Sequence, residues 1–282
     1  MAPQELKGIL VALVTPFTDD GLSVHEGKLE AHINRQIEAG VHGLVPGAGR
    51  VPVVAGIGAL STAEVVDMGN HAAKVGAAAL MVVPPFYDPV NLEQVRELMN
   101  EVHETSQLPI VYYNIPSASG LKLSPSEMAS LTEVGVQYVK DTSGDGPALT
   151  ELLFELHERI TTFNGWDTLT FYGLAAGAKG SVWGATNVIP ELSIALYNAV
   201  VIEKDLEKGR KLWRKIYPVC KFLESHNYPS AVKTAMAQVG LDIGAPRKPF
   251  KKLRKEHADE ITHILVAAGY QPGKSAWLVN GH

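Results

Sequence analysis

The chain has 282 residues, a length that suits one large domain or two small ones and is sufficient to bury a substantial core. A composition of 46% hydrophobic and 20% charged residues is ordinary for a globular protein, and a net charge of -5 argues against a nucleic-acid-binding protein. One cysteine, Cys220, excludes an intrachain disulfide, and we find no signal peptide and no apolar run of about 20 residues that would span a membrane. We therefore expect a cytoplasmic protein.

Short apolar runs alternate with amphipathic stretches along the first two thirds of the chain. In chain order the pattern predicts strand 8–17, helix 25–39, strands 42–46 and 51–58, helix 61–75, strand 78–86, helix 92–105, strand 109–116, a helix opening at Ser124, strand 136–142, helix 148–158, strand 160–165, helix 169–176 and strand 179–188. Eight buried strands that alternate with helices indicate a parallel sheet, and eight is the number that closes into a (β/α)8 barrel.

The rest of the chain has helical periodicity, over about 192–226, 229–239 and 250–268. That is more helix than one barrel unit requires. We expect a barrel over residues 1–190 and a C-terminal helical region over 191–282 that packs on it.

The alternation fails between the second and third strands, where only the four residues 47–50 intervene. A parallel neighbour needs a crossover of about a dozen residues, normally a helix. Three explanations are open: an antiparallel hairpin, a genuine deletion, or a segment omitted from the sequence. We favour omission, because the other β/α units look intact; an ordinary peptide linkage through Gly47, Ala48 and Gly49 would contradict it.

A lysine stands inside an apolar strand. Lys140 alternates with Val136 and Tyr138, so these three side chains share one face. An ammonium group that points into a barrel is costly unless it is paired or neutralised, and a neutral amine can attack a ketone to form an imine. A lysine at an edge that extends outward to solvent is an equal alternative from position alone.

Tyrosines follow two other strands at the end where barrels carry their reactive groups. Tyr113 ends the fifth strand beside Tyr112, and a phenol there can relay protons, although an ordinary core aromatic is the commoner explanation. Tyr87 follows two prolines after the fourth strand, where it either projects at the active face or fills a subunit contact.

Five motifs occur in order on the expected strands and resemble those of the dihydrodipicolinate synthase/N-acetylneuraminate lyase family. They are VALVTPF (11–17), VVPPFYD (82–88), YYNIP (112–116), YVKDTSGD (138–145) and NVIP (187–190). The resemblance extends from Gly8 to about Lys255. It implies a class I lyase or aldolase that needs no cofactor or metal, because the substrate itself binds covalently.

The resemblance also implies residue roles. Lys140 would form a Schiff base with pyruvate or another 2-oxo acid, and Tyr113 would relay protons. Tyr87 matches a tyrosine that reaches across a subunit interface, which implies a homodimer or homotetramer. Four further positions are expected to line the substrate pocket: Thr15, Ala118, Gly165 and Val182.

Two departures from the family pattern affect which substrate we expect. The family has a Gly-Thr-Thr-Gly-Glu or Gly-Ser-Thr-Gly-Glu loop after the second strand, which holds the pyruvate carboxylate, and this chain lacks it at the place where the barrel pattern fails. Lysine-pathway members have an arginine where this chain has Ala118, and a methyl group cannot replace a bidentate guanidinium. We therefore expect a 2-keto-3-deoxy acid aldolase or dehydratase first and dihydrodipicolinate synthase second. A non-catalytic barrel that binds an oxo acid is the third alternative.

Overall fold

The structure, a computed structural model, describes residues 5–45 and 50–273. Its sheet has eight strands: β1 (Gly8–Ala12), β2 (Gly43–Val45), β3 (Val54–Ile57), β4 (Ala79–Val82), β5 (Ile110–Asn114), β6 (Val136–Asp141), β7 (Thr161–Asn164) and β8 (Gly180–Trp183). They lie in the order β2-β1-β8-β7-β6-β5-β4-β3, and the pairings from β3 to β8 are parallel. A parallel bridge between Leu44 and Val53 brings the two outer strands together. The strands thus form a nearly closed barrel, and the predicted fold class is confirmed.

The helices are α1 (Glu26–Glu38), α2 (Thr62–Lys74), α3 (Leu92–Ser106), α4 (Pro116–Ser119), α5 (Pro125–Ser130), α6 (Gly146–Phe154), α7 (Thr170–Ala175), α8 (Pro190–Tyr197), α9 (Leu206–Glu224), α10 (Tyr228–Gln238) and α11 (Lys255–Ala268). The helix predicted over 192–226 is interrupted by a π-helical turn at Asn198–Ile202. Lys204 then has a φ of 58°, which a helix cannot continue, and the Asp205 side chain caps α9 by accepting from the Lys208 N–H.

The first strand is shorter than its apolar run. The pattern predicts a strand over 8–17, whereas β1 ends at Ala12. The cause is a side chain, because the Val14 N–H donates to the Asn187 Oδ1 atom at 3.1 Å instead of to a neighbouring strand. Periodicity in the sequence carries no information on such a competing partner.

The chain divides into two compact units, Met1–Leu10 with His42–Trp183, and Val11–Val41 with Gly184–His282. The first contains a large apolar core with members from β3 to β6 and from the helices that follow β3 and β4, among them Leu80, Met99, Ile110 and Val139. The division into residues 1–190 and 191–282 stays a prediction.

Strands β2 and β3 run parallel where they meet, although few residues separate them in the sequence. The Leu44 N–H donates to the Pro52 carbonyl at 3.1 Å, beside the bridge to Val53. The antiparallel hairpin is therefore wrong. Residues 46–49, on which the choice between a deletion and an omitted segment depends, lie outside the described residues.

Within residues 5–45 and 50–273, every helix is too short or too polar to cross a membrane.

The second unit contains a buried histidine. His32 on α1 is 2% exposed, and its Nε2 atom lies 2.9 Å from the Asn187 Oδ1 atom. Burial lowers the pKa of His32 to about 4; the hydrogen bond to Asn187 opposes the shift and the charge of Arg35 adds to it. The folded unit thus holds this imidazole neutral.

We expect the free energy of unfolding to fall by about 3 kcal/mol between pH 6.5 and pH 4 because of His32. The unfolded histidine, with an ordinary pKa of 6.5, takes up a proton first, so stability is complete above pH 6.5 and is lost as the pH falls to 4. Urea unfolding of the protein and of the His32→Gln variant, repeated across this range, measures the difference. Parallel pH profiles for the two proteins would contradict the assignment, and His263→Gln, at an exposed position on α11, is the control.

Candidate active site

The pairing of the neighbouring strands β5 and β6 determines which of their residues lie side by side. Tyr113 pairs with Lys140, and Asn114 pairs with Asp141. Register partners on adjacent parallel strands point to the same face of the sheet, so the phenol and the amine emerge side by side. The structure thus brings Lys140 and Tyr113 together, and their predicted catalytic roles stay predictions.

Lys140 lies inside the protein rather than at an edge. Its side chain is buried, with 5% exposure, and its Nζ atom lies 3.9 Å from the centroid of the Tyr113 ring. A cation above an aromatic face gains electrostatic stabilisation, which offsets part of the cost of burying the amine. The alternative of an outward-extending edge lysine is therefore wrong.

The buried carboxylate of Asp141 links the ends of these two strands by hydrogen bonds. The Asn114 Nδ2 atom donates to the Asp141 Oδ1 atom at 2.7 Å, and Ser143 donates to the same carboxylate from its N–H and its hydroxyl. Burial raises the pKa of the Asp141 carboxyl, against the opposing effect of these hydrogen bonds. The network joins β5 to β6 one residue beyond Tyr113 and Lys140, and it therefore limits their relative movement. Asn114 and Asp141 have no predicted role from the sequence, although their place directly after Tyr113 and Lys140 was a usable signal.

The next strand leaves room for the lysine side chain. Gly165 follows β7, and a Cβ atom at this position would lie 2.8 Å from Lys140 Cγ and 2.9 Å from Lys140 Cε, and would overlap the Thr142 hydroxyl. A side chain at residue 165 would therefore displace the amine. Gly165, predicted as a substrate-binding position, acts in this structure by its lack of a side chain.

We expect Gly165→Ala to lower kcat roughly 100-fold, because a displacement of a reacting group by about 1 Å has an effect of that size. Steady-state kinetics with the best oxo acid found, together with a thermal unfolding curve, measure it. Gly146→Ala is the matched control, since a Cβ atom there has no neighbour within 4 Å. Equal kcat values for the two variants would exclude this role for Gly165.

The remaining predicted positions are spread over several elements. Tyr87, in the loop after β4, is 81% exposed. Ala118 is exposed in α4, and Val182 is buried in β8. Thr15 lies in the second unit, where its carbonyl accepts from the Lys233 Nζ atom at 2.7 Å. Their predicted roles toward a substrate stay predictions.

Lys140 and Tyr113, at the ends of β6 and β5, carry the functional groups that imine formation requires. A buried primary amine can condense with a ketone, and an adjacent phenol can donate and accept the protons that such a condensation moves. Among the described residues, the cluster with three metal-type ligands lies elsewhere, at the end of α9 and on α11.

The model of the dihydrodipicolinate synthetase family matches residues 47–268. The chain is 32% identical to the 4-hydroxy-tetrahydrodipicolinate synthase of Methanopyrus kandleri, over 95% of this chain and 98% of the relative. It is 34% identical to an uncharacterised DapA-like lyase of Halobacterium salinarum, over 89% of this chain and 90% of that protein. The structure resembles the dihydrodipicolinate synthase of Acinetobacter baumannii complexed with pyruvate, with a TM-score of 0.88 and 27% identity over 94% of this chain and all of the other.

The alignment with the Methanopyrus kandleri enzyme spans 295 positions, whereas 95% of 282 residues is about 268. Roughly 27 positions of that alignment therefore have no counterpart in this chain. A barrel of eight parallel strands, the Lys140–Tyr113 pair and these similarities agree: the chain belongs to the dihydrodipicolinate synthetase family and is a lyase of that type.

Proposed function

We propose that this protein is a Schiff-base-forming lyase or aldolase that acts on pyruvate or on a 2-keto-3-deoxy acid, through an imine at Lys140. The observation that carries the proposal is the position of the buried Lys140 Nζ atom, 3.9 Å from the centroid of the Tyr113 ring. The structure of the Acinetobacter baumannii relative contains pyruvate, which makes a 2-oxo acid the first ligand to test.

The reaction needs no cofactor, since the imine supplies the electron sink. Neutral Lys140 adds to the ketone carbon, and the departure of water gives a protonated imine. Loss of a proton from the adjacent carbon gives an enamine, which forms a bond to an aldehyde carbon; in the opposite direction that bond breaks and its electron pair moves toward the imine nitrogen. Tyr113 donates and accepts the protons, and a final addition of water releases Lys140.

Two substrate classes compete within this mechanism. The relatives named 4-hydroxy-tetrahydrodipicolinate synthase favour that product. Ala118 favours a 2-keto-3-deoxy acid, because it offers no guanidinium for the carboxylate of a second substrate. Assays for cleavage of 2-keto-3-deoxy acids, and for 4-hydroxy-tetrahydrodipicolinate formation, separate the two classes.

A barrel that binds an oxo acid without turnover is the second candidate. It is favoured by one observation, the lack after β2 of the Gly-Thr-Thr-Gly-Glu type of loop. A protein of this kind has no need of an amine placed beside a phenol, so the Lys140–Tyr113 pair favours the enzyme.

Intact mass spectrometry, with and without pyruvate and borohydride, tests the proposal. A reduced pyruvyl adduct that maps to Lys140 is the expected result. The mass of the untreated protein is informative as well: 30.4 kDa indicates a genuine deletion, and a mass heavier by about two dozen residues indicates an omitted segment. Absence of an adduct on a protein that still binds pyruvate would favour the non-catalytic barrel.

We also propose that Tyr87 takes part in a homodimer contact. Its 81% exposure, beside the half-exposed Phe86, leaves two large aromatic side chains at the surface of this protomer. Sedimentation velocity on the protein and on the Tyr87→Ser variant tests this, and an unchanged oligomeric state would exclude it.

A further inference from the structure

Two histidines and a glutamate come together in the second unit, on elements that carry none of the residues of the proposed imine chemistry. His226 follows the C-terminal end of α9, and His257 and Glu260 lie in the first turns of α11. The His226 Nε2 atom is 3.2 Å from the His257 Nδ1 atom, and the Glu260 Oε2 atom is 3.7 Å from that same Nδ1 atom. One ligand atom from each residue lies within 4.8 Å of the other two.

The spacing of the two ring nitrogens matches that of two ligands on one ion. Two imidazole nitrogens at about 2.0–2.1 Å from a tetrahedral Zn²⁺ are separated by about 3.3 Å. The spacing of His257 and Glu260, three residues apart on a helix, places both side chains on the same face. Glu260 is exposed, so its carboxylate can complete the site by a change of rotamer.

The far nitrogen of each ring lies beside an acceptor group. The His226 Nδ1 atom lies 2.9 Å from the Phe222 carbonyl, which only accepts, so this nitrogen carries the proton and the Nε2 atom directs a lone pair at His257. In that tautomer the His257 Nδ1–H donates to the His226 Nε2 atom at 3.2 Å. Binding of a cation moves this proton to the His257 Nε2 atom, which lies 3.6 Å from the Glu256 carboxylate. A carbonyl or a carboxylate on the far nitrogen is the usual support of a metal-binding histidine.

We propose that His226, His257 and Glu260 form a binding site for one divalent transition-metal ion, with Zn²⁺ as the first to test, that links the end of α9 to α11. Imidazole and carboxylate ligands are typical of Zn²⁺, and the partial exposure of the site leaves the fourth position for water. The ion replaces the contact between the two rings by two coordinate bonds, and it therefore opposes separation of the two helices.

Isothermal titration of metal-free, untagged protein with ZnCl2 tests the site, and thermal unfolding with and without Zn²⁺ gives a second readout. We expect one ion per chain and a higher Tm with Zn²⁺. His226→Ala and His257→Gln should each raise Kd at least tenfold and remove the Tm increase, and Glu260→Gln should raise Kd by a smaller factor. His263→Ala, at an exposed position on α11, should change neither value.

Circular dichroism and the Tm of the metal-free variants establish that each variant is folded. The proposal is overturned if the protein binds no Zn²⁺. It is equally overturned if folded His226→Ala and His257→Gln proteins bind Zn²⁺ with the Kd of the parent protein.

Discussion

Replacement of Lys140 by alanine is expected to abolish imine formation and to lower kcat/KM at least roughly a thousandfold, as removal of a nucleophile does in other enzymes. The amine is the nitrogen of the proposed imine, and a methyl group has no electron pair with which to attack a ketone. The kinetic constants and the yield of borohydride-reduced pyruvyl adduct, measured on the same preparation, test this expectation.

Two further variants make the Lys140 result specific. Lys140→Arg keeps a positive charge but has no neutral amine, so it should be as inactive as the alanine variant. Lys74→Ala removes an exposed lysine at the end of α2 and should leave adduct formation unchanged. An adduct that persists in folded Lys140→Ala protein would place the imine on another lysine and would remove the basis of the proposed function.

Removal of the Tyr113 hydroxyl, in Tyr113→Phe, is expected to lower kcat by roughly 10²–10⁴ through the loss of a general acid and base. Because the phenylalanine ring still lies over the amine, the affinity for pyruvate should change much less than kcat. Stopped-flow measurement of adduct formation and steady-state kinetics separate the two effects.

Tyr112→Phe is the matched control for this variant. Tyr112 is the adjacent residue, fully buried on the opposite face of β5, and burial raises the pKa of its phenol. Its hydroxyl points away from the face that carries Tyr113 and Lys140, so kcat should stay close to that of the parent protein. If the two variants lose activity equally, the loss reflects packing of the strand and Tyr113 has no role as a proton relay.

The strands and the reactive pair were predictable from the sequence for specific reasons. A strand that is buried on both faces has a continuous apolar sequence. The ends of β4, β5 and β6 were therefore predicted to within a few residues. Lys140 interrupts such a run, and although its position alone left an outward-pointing lysine as an equal alternative, the family resemblance favoured the imine-forming role. The alternation of side chains then gave its face without any coordinates.

The boundaries and the supporting interactions were not predictable, because they depend on partners distant in sequence. The end of β1 depends on Asn187, and the buried carboxylate of Asp141 is held by Asn114, 27 residues earlier. The parallel bridge from Leu44 to Val53 is another case, because the short intervening chain had left an antiparallel hairpin open as one of three explanations.

The sequence by itself determined the class of fold and the family resemblance, and it supplied Lys140 as the lysine of the proposed imine, because local pattern and motif order carry this information. Only the tertiary structure decided that the Lys140 Nζ atom lies over the Tyr113 ring, that Gly165 leaves room for that side chain, and that His226 meets His257. The physical reason is that strand register and helix packing bring together residues that are 27, 25 and 31 positions apart, and nothing in the local sequence specifies those distances.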